Sequence, residues 1–365
     1  MTQTLDARRP LSEPETHGGD ALTGLTAAAI AERLGVAPMH GRQIFRWLQR
    51  KQVFEVERMT DLSKDLRAAL AERADICCLR QETVSASPSS GTRKALFRLH
   101  DGETVESVLI RDRDRATLCL STQVGCAVKC SFCATGMGGF RRNLTVSEIV
   151  EQALRLIADA DLGERTPNIV LMGMGEPFRN YDASLAAVRL LMRKDGLRIG
   201  ARKITISTAG EVKGIERFAG EGMQVRLSVS LHAANDTLRN ELVPLNRKYP
   251  LATLIGAVRS YIAHTGRQVT FEWTLLRDVN DARKDAEELC DLVGPLKAVV
   301  NLIPCNPVAG LGYRAPSSAR CQAFQAALTA RGVKSTLRKE RGQDILAACG
   351  QLRRQTERTR APEEG

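Results

Sequence analysis

Between residues 168 and 331 the chain switches repeatedly between short apolar runs and longer stretches with helical spacing, and this alternation restricts the fold more than any other feature. The apolar runs are 168–173 (NIVLMG), 203–207 (KITIS), 225–231 (VRLSVSL), 269–275 (VTFEWTL) and 298–303 (AVVNLI). Runs of this length suit strands and are too short for helices. Helical spacing recurs near 182–194, 212–221, 250–264, 281–292 and 317–331. Strand then helix, repeated, means parallel strands joined by right-handed crossovers, an α/β fold in which functional groups gather at the C-terminal strand ends.

The first half of the chain reads differently. Residues 1–22 are rich in Pro, Gly, Thr and charge without an apolar period, so they read as a disordered leader. Residues 23–92 form a helical unit: Thr26 opens a helix that Gly35 stops, a second runs from Met39 to Lys51, and a third starts near Ser63. In the second, Ile44, Phe45 and Leu48 share one face while Arg42, Arg46, Arg50 and Lys51 share the other. Those cations could be a phosphate-binding surface or only a solvated face. The segment 85–93 (SASPSSGTR) reads as a link. From Lys94 the period becomes two, giving a meander through 94–100, 104–110 and 116–123 that leads into the barrel, which is expected over 93–350. Residues 351–365 are a basic tail with Arg353, Arg354, Arg358 and Arg360.

Several strand ends carry chemistry. The meander ends at Cys126, Cys130 and Cys133, spaced C-x3-C-x2-C. A [4Fe-4S] cluster normally takes four thiolates, so three leave one iron open for a ligand. The alternative is a tetrahedral zinc site completed by Cys119 or a distant cysteine. The next strand ends in 172–177 (MGMGEP), a tight turn or a backbone able to approach a ligand closely. Later strands end at Ser207, at Ser230–His232 and at Asn306. His232 alone could equally be a satisfied buried histidine, Glu106 in the meander a solvent-facing carboxylate, and Cys349 a small buried hydrophobe.

Composition narrows the partners. The formal charge of +11 favours a polyanion such as nucleic acid. Ten cysteines without the spacing of a secreted scaffold fit a reducing, cytoplasmic setting. The N-terminus has no apolar h-region, and no apolar run nears the roughly 20 residues that cross a bilayer.

Taken together, CAVKCSFCATG (126–136), MGMGEP, STAG (207–210), SLHA (230–233) followed by Asn235 and Asp236, VPLN (243–246), LIPCNP (302–307) and RGQDILAACGQL (341–352) resemble the RlmN/Cfr family of radical S-adenosylmethionine (SAM) RNA methyltransferases. GRQIFRWL (41–48) and MTDLSK (59–64) extend the likeness into the helical unit, so it covers about residues 23–355. Phe132, just before the last cysteine, also fits the radical SAM pattern. The resemblance implies a partial (β/α)6 barrel with a small N-terminal all-α accessory domain that docks RNA. It implies a [4Fe-4S] cluster on Cys126, Cys130 and Cys133, and a SAM site formed by Gly175, Glu176, Ser207, Ser230, Leu231, His232 and Asn306. Cys349 would carry a methyl group, Cys119 would resolve it, and Glu106 would accept a proton. Cys305 takes no role from it, and Cys77, Cys78, Cys290 and Cys321 read as ordinary thiols.

Carbon 2 of adenine is electron-poor and not a nucleophile, so displacement on the SAM methyl cannot methylate it and a radical route is required. The implied sequence is ping-pong. Cys349 is methylated by one SAM, a second SAM yields the radical that activates the S-methyl group, the carbon joins the base, and Cys119 releases product with a disulfide. Implied partners are 23S rRNA, tRNA and an electron donor such as flavodoxin, and a monomer is expected. Cfr-like methylation of carbon 8 stays open, as does a zinc-containing RNA-binding protein.

Overall fold

The computed structural model describes residues 20–353 apart from 113, 114, 161, 163, 164, 339 and 340. The expected leader therefore lies outside the described residues as far as residue 19, and the basic tail lies outside them from Arg354.

The helical unit forms as its caps dictate. α1 (Ala27–Leu34) begins where the Thr26 hydroxyl accepts the Ala29 N–H, and it ends at Gly35 in the left-handed conformation. α2 (Pro38–Arg50) buries Ile44, Phe45 and Leu48 and exposes Arg42, Arg46 and Arg50. α3 (Lys64–Arg73) is capped by Ser63, whose hydroxyl accepts the Leu66 N–H. Fully burying a side chain such as Leu48 or Phe45 contributes about 1.5–3 kcal/mol, so this small core depends on a handful of contacts.

The sheet starts earlier than expected. β1 (Arg80–Ala86) pairs antiparallel with β2 (Arg93–Arg98), β2 with β3 (Thr104–Asp112), and β3 with β4 (Arg115–Cys119). The boundary expected at 92 thus falls inside this meander, and part of the expected link at 85–93 is strand. β1 is an edge strand with six of its seven residues exposed, so it has no apolar alternation to mark it.

Beyond β4 the strands run parallel. β5 (Gln123–Gly125) and β6 (Phe140–Asn143) form a separate antiparallel pair, with the one-turn helix α4 (Ala134–Met137) between them. There follow α5 (Val146–Ala158), β7 (Asn168–Leu171), α6 (Tyr181–Met192), β8 (Ile204–Thr208), α7 (Val212–Ala219), β9 (Arg226–Ser230), α8 (Asp236–Leu242), α9 (Leu251–Thr265), β10 (Val269–Leu275), α10 (Arg283–Val293), β11 (Ala298–Pro304), α11 (Ser318–Ala330) and β12 (Ser335–Leu337). Strands β4, β7, β8, β9, β10, β11 and β12 are neighbours in that order, all parallel. Six strand-and-helix units followed by a short seventh strand make the expected partial (β/α)6 barrel, held open with β1 and β12 as its edges.

Each strand has two faces. Leu227, Val229, Phe271 and Trp273 are buried beneath the helices, with the Trp273 ring 5.9 Å from Phe324 of α11. Ser228, Ser230, Glu272 and Thr274 alternate with them and face inward, which makes the barrel interior polar. The helical unit is fastened to the barrel by buried Glu151 of α5, which accepts the Thr23 hydroxyl at 3.0 Å and the N–H groups of Cys78 and Leu79 at 2.8 and 3.2 Å. Among the described residues no helix is long and apolar enough to cross a membrane.

Candidate active site at the open barrel mouth

The three cysteines sit in a loop that the β5–β6 pair closes. The Cys126 N–H donates to the Gly139 carbonyl at 2.9 Å, and the Cys133 N–H to the Cys130 carbonyl at 3.2 Å. At Gly125, with φ 76°, a Cβ would stand 1.8 Å from that same Gly139 oxygen, so only glycine lets the strands approach. Burial pushes the Cys126 thiol up to about 12 and the Cys130 thiol well above its ordinary value. A bound cation must supply the charge that turns such thiols into thiolates. Among the described residues no three His, Cys, Asp or Glu side chains converge as one metal ion requires. All three border the same cavity, and a cluster, unlike a single ion, takes each thiolate on a different iron.

The expected strand ends meet across the same cavity. Gly175, Glu176, Ser207, Ser230, His232 and Asn306 line it with the three cysteines. Leu231 does not: its side chain is buried in the core, and its backbone is engaged behind the site, the N–H donating to the Glu272 carbonyl at 3.0 Å and the carbonyl accepting from Arg239. Gly175 adopts φ 104°, and a Cβ there would meet Gln123 at 2.6 Å. Its neighbour Glu176 is buried and accepts the N–H groups of Ala209 and Phe178 at 2.7 and 3.1 Å. Burial outweighs these bonds and lifts its carboxyl to about 7. His232, in the left-handed region with φ 61°, accepts the Thr274 N–H on Nδ1 at 3.0 Å, which leaves its proton on Nε2. Burial, helped by nearby Arg239, lowers it to about 3, so the ring is neutral. The Phe132 ring meets it edge-on at 4.7 Å.

Cys349 is the only exposed cysteine of the ten, although protein surrounds the sulfur on most sides and this raises its pKa. It borders two cavities, the one lined by the triplet and a second one lined by Cys119, Arg338 and Arg341. The nearby guanidinium of Arg338 opposes the rise at both thiols. Arg338 follows directly on β12; of the arginines in the basic tail only Arg353 is among the described residues. Asn306 holds the segment by donating to the Cys349 carbonyl at 3.2 Å. Glu106 is buried, not solvent-facing, and lines neither cavity; it pairs with Lys94 at 2.9 Å.

Other site residues carry no motif of their own. Glu272 lines the first cavity with a buried Oε2 that has no partner, while its Oε1 accepts Ser228 at 2.7 Å and Asn301 at 3.2 Å. The one charged residue in the strand run 269–275 was the available signal. Fully buried Arg239 donates to the carbonyls of Leu231, Ala209 and Ser230 at 3.0, 2.8 and 3.1 Å, pinning two strand ends from below. On α8, an element not anticipated, it resembled any surface arginine.

Three thiols at the mouth of an open parallel barrel, opposite a glycine-rich strand end, define a radical SAM enzyme, and residues 120–293 match the family model of the Radical SAM superfamily. Residues 22–76 match that of the ribosomal RNA large subunit methyltransferase N-terminal domain. A probable dual-specificity RNA methyltransferase RlmN from Moorella thermoacetica is 49% identical over 330 residues, covering 89% of this chain and 93% of the relative. A dual-specificity RNA methyltransferase RlmN from Anaeromyxobacter is 45% identical over 360 residues, covering 96% and 94%. The crystal structure of a radical SAM methyltransferase from Sphaerobacter thermophilus superposes with a TM-score of 0.88 at 50% identity, covering 91% of this chain and 99% of that one. The chain belongs to the RlmN family of radical SAM RNA methyltransferases, which use a [4Fe-4S] cluster and SAM. That membership overturns the reading as a non-enzymatic zinc protein.

Proposed function

We propose that this chain methylates carbon 2 of an adenosine in the peptidyl transferase centre of 23S rRNA and of the adenosine 3' to the anticodon in tRNAs. The observation behind this reading is the position of Cys349, whose residue borders both the triplet's cavity and the one containing Cys119. A methyl carrier has to face the donor site, and a resolving thiol has to reach the carrier.

Cys126, Cys130 and Cys133 would hold the cluster, with Gly175, Glu176, Ser207, Ser230, His232 and Asn306 around SAM and Leu231 packed in the core behind them. When bound, these groups supply the methyl, the electron and the hydrogen-abstracting radical that an electron-poor aromatic carbon demands. Cys349 gives up its thiol proton and carries the methyl carbon to the base. Glu106 takes the proton from the substituted ring carbon once the adduct's odd electron has passed to a one-electron acceptor. Cys119 Sγ then attacks Cys349 Sγ and breaks its bond to the transferred carbon, which keeps the bonding pair and takes a proton to complete the methyl group. The disulfide left behind is reduced by an external dithiol, and its formation requires the two sulfurs to come to about 2 Å.

The helical unit, with Arg42, Arg46, Arg50 and Lys51 outward, docks structured RNA through phosphates and shape. The enzyme works as a cytoplasmic monomer with an external one-electron donor of the flavodoxin kind. The test is anaerobic turnover of reconstituted protein with SAM, reductant and unmodified 23S rRNA or tRNA, followed by nucleoside mass spectrometry. The expected product is 2-methyladenosine. An 8-methyladenosine product would transfer the chain to Cfr-like regiochemistry, and no methylated adenosine would sink both.

A further inference from the structure

Cys349 lies in no helix or strand. Its segment follows a single 3-10 turn at Gln343–Ile345, and Leu346 and Gly350 both take positive φ, 52° and 83°. Its position therefore depends on side chains that reach it from elsewhere. Two of these belong to one buried ion pair on the meander.

Lys94 on β2 and Glu106 on β3 stand on adjacent antiparallel strands, with Nζ and Oε1 2.9 Å apart and side chains 11% and 1% exposed. The same ammonium donates to the Leu346 carbonyl at 3.2 Å, three residues before Cys349. The other carboxylate oxygen, Oε2, accepts the Arg353 N–H at 2.9 Å, four residues after it. One pair thus grips the segment on both sides of the sulfur. A buried charge that loses its partner is costly, so the two hold each other in place while they hold the segment. The strands beneath are fixed: β2 and β3 are in register from Arg93↔Leu109 to Arg98↔Thr104, and the Ser121 hydroxyl donates to the Glu106 carbonyl at 2.6 Å.

We propose that Lys94 is a positioning residue for methyl transfer: paired with Glu106, it latches the segment that carries Cys349 at both ends. The importance of the latch rests on the methyl-carrier reading of Cys349. It also constrains Glu106, because both carboxylate oxygens are engaged. An anionic Glu106 holds Lys94 and the Arg353 N–H, whereas a protonated one loses the ion pair. A proton passed from the base to Glu106 therefore loosens the latch at the step where Cys119 has to reach Cys349.

The test is hydrogen exchange by mass spectrometry on the reconstituted full chain, comparing Lys94→Met, Lys94→Arg and Glu106→Gln with the parent. Lys94→Met is expected to speed exchange in 346–353 by about tenfold, the equivalent of one lost hydrogen bond, without changing exchange in β11. Lys94→Arg restores protection, and Glu106→Gln, a mimic of the protonated carboxyl, loosens the segment as Lys94→Met does. In turnover, Lys94→Met lowers kcat with the RNA KM unchanged. Unchanged exchange in 346–353, or an equal rise in β11, would overturn the latch. If Lys94→Met does not fold, the Glu106→Gln exchange decides the matter in the same way. A Cys349→Ala enzyme that still methylates RNA would remove the methyl-carrier reading while leaving the exchange result intact.

Discussion

Thr135, two residues past the last cysteine of the triplet, donates its hydroxyl to the Leu352 carbonyl at 2.6 Å, and next to it the Ala134 N–H donates to the Gly350 carbonyl at 2.7 Å. The helix turn that follows the cysteine loop and the segment that carries Cys349 are therefore parts of one hydrogen-bonded body. Positioning the loop also positions the sulfur.

Thr135→Val tests that coupling. The valine keeps the volume and removes the donor, leaving the Leu352 carbonyl without its bond at a cost of about 1–3 kcal/mol. The expected result is a lower urea midpoint with an unchanged m-value, normal iron content and slower methylation of Cys349. A variant as stable and as fast as the parent would mean that the two parts are positioned independently.

The two thiols should fail in different ways. Cys349→Ala is expected to form neither methylated RNA nor an adduct, because nothing carries the carbon. Cys119→Ala is expected to accumulate a covalent protein–RNA species, visible as a gel shift stable to denaturant. Free product from Cys119→Ala at the parental rate would remove Cys119 from the mechanism.

Glu176 makes stability depend on pH in a defined direction. Unfolded, its carboxyl titrates near 4.5; folded, burial raises it to about 7. Between those values the folded chain binds a proton that the unfolded chain has released. The stabilisation is complete below pH 4.5 and is lost as pH rises through about 7. Without cofactors, the parent should lose stability relative to Glu176→Gln between pH 5 and 8, by a few kcal/mol at most. Chemical denaturation at each pH reads this, and parallel curves for the two proteins would exclude it.

Much of this architecture is legible in the residues because it is local or periodic. Thr26 and Ser63 cap the helices expected of them, and Thr145 forms a capping box with Glu148 at the start of α5. The barrel strands stand out because their helix-facing side is apolar. β1 is not legible because an exposed edge needs no apolar face, and Arg80–Ala86 offers none. The strand-end residues were visible because polar groups at the ends of apolar runs are out of place in a core. Lys94 was not, since the Leu346 carbonyl it holds belongs to a segment near the other end of the chain, and Arg239 was not, since the carbonyls it gathers belong to two different strand ends. A charge pattern cannot tell a buried partnered side chain from a solvated one.

Arg239 provides the most severe test of how the strand ends are held. It is fully buried, it donates to Asn246 Oδ1 at 2.8 Å as well as to the backbone of both strand ends, and burial lowers its pKa to about 10, so it remains charged at neutral pH. Its fork satisfies the Ala209, Ser230 and Leu231 carbonyls at once, which a single ammonium cannot do in the same plane. Arg239→Leu would leave those carbonyls without their common donor next to Ser207, Ser230 and His232 of the first cavity, and a loss of about 3–5 kcal/mol is expected. Arg239→Lys keeps the charge but not the fork. If geometry is what matters, the lysine variant should fold yet bind SAM more weakly, as read by equilibrium dialysis on the reconstituted protein. If charge alone matters, it should bind SAM as the parent does, and the arginine's role would then be to offset the anionic thiolates beside it.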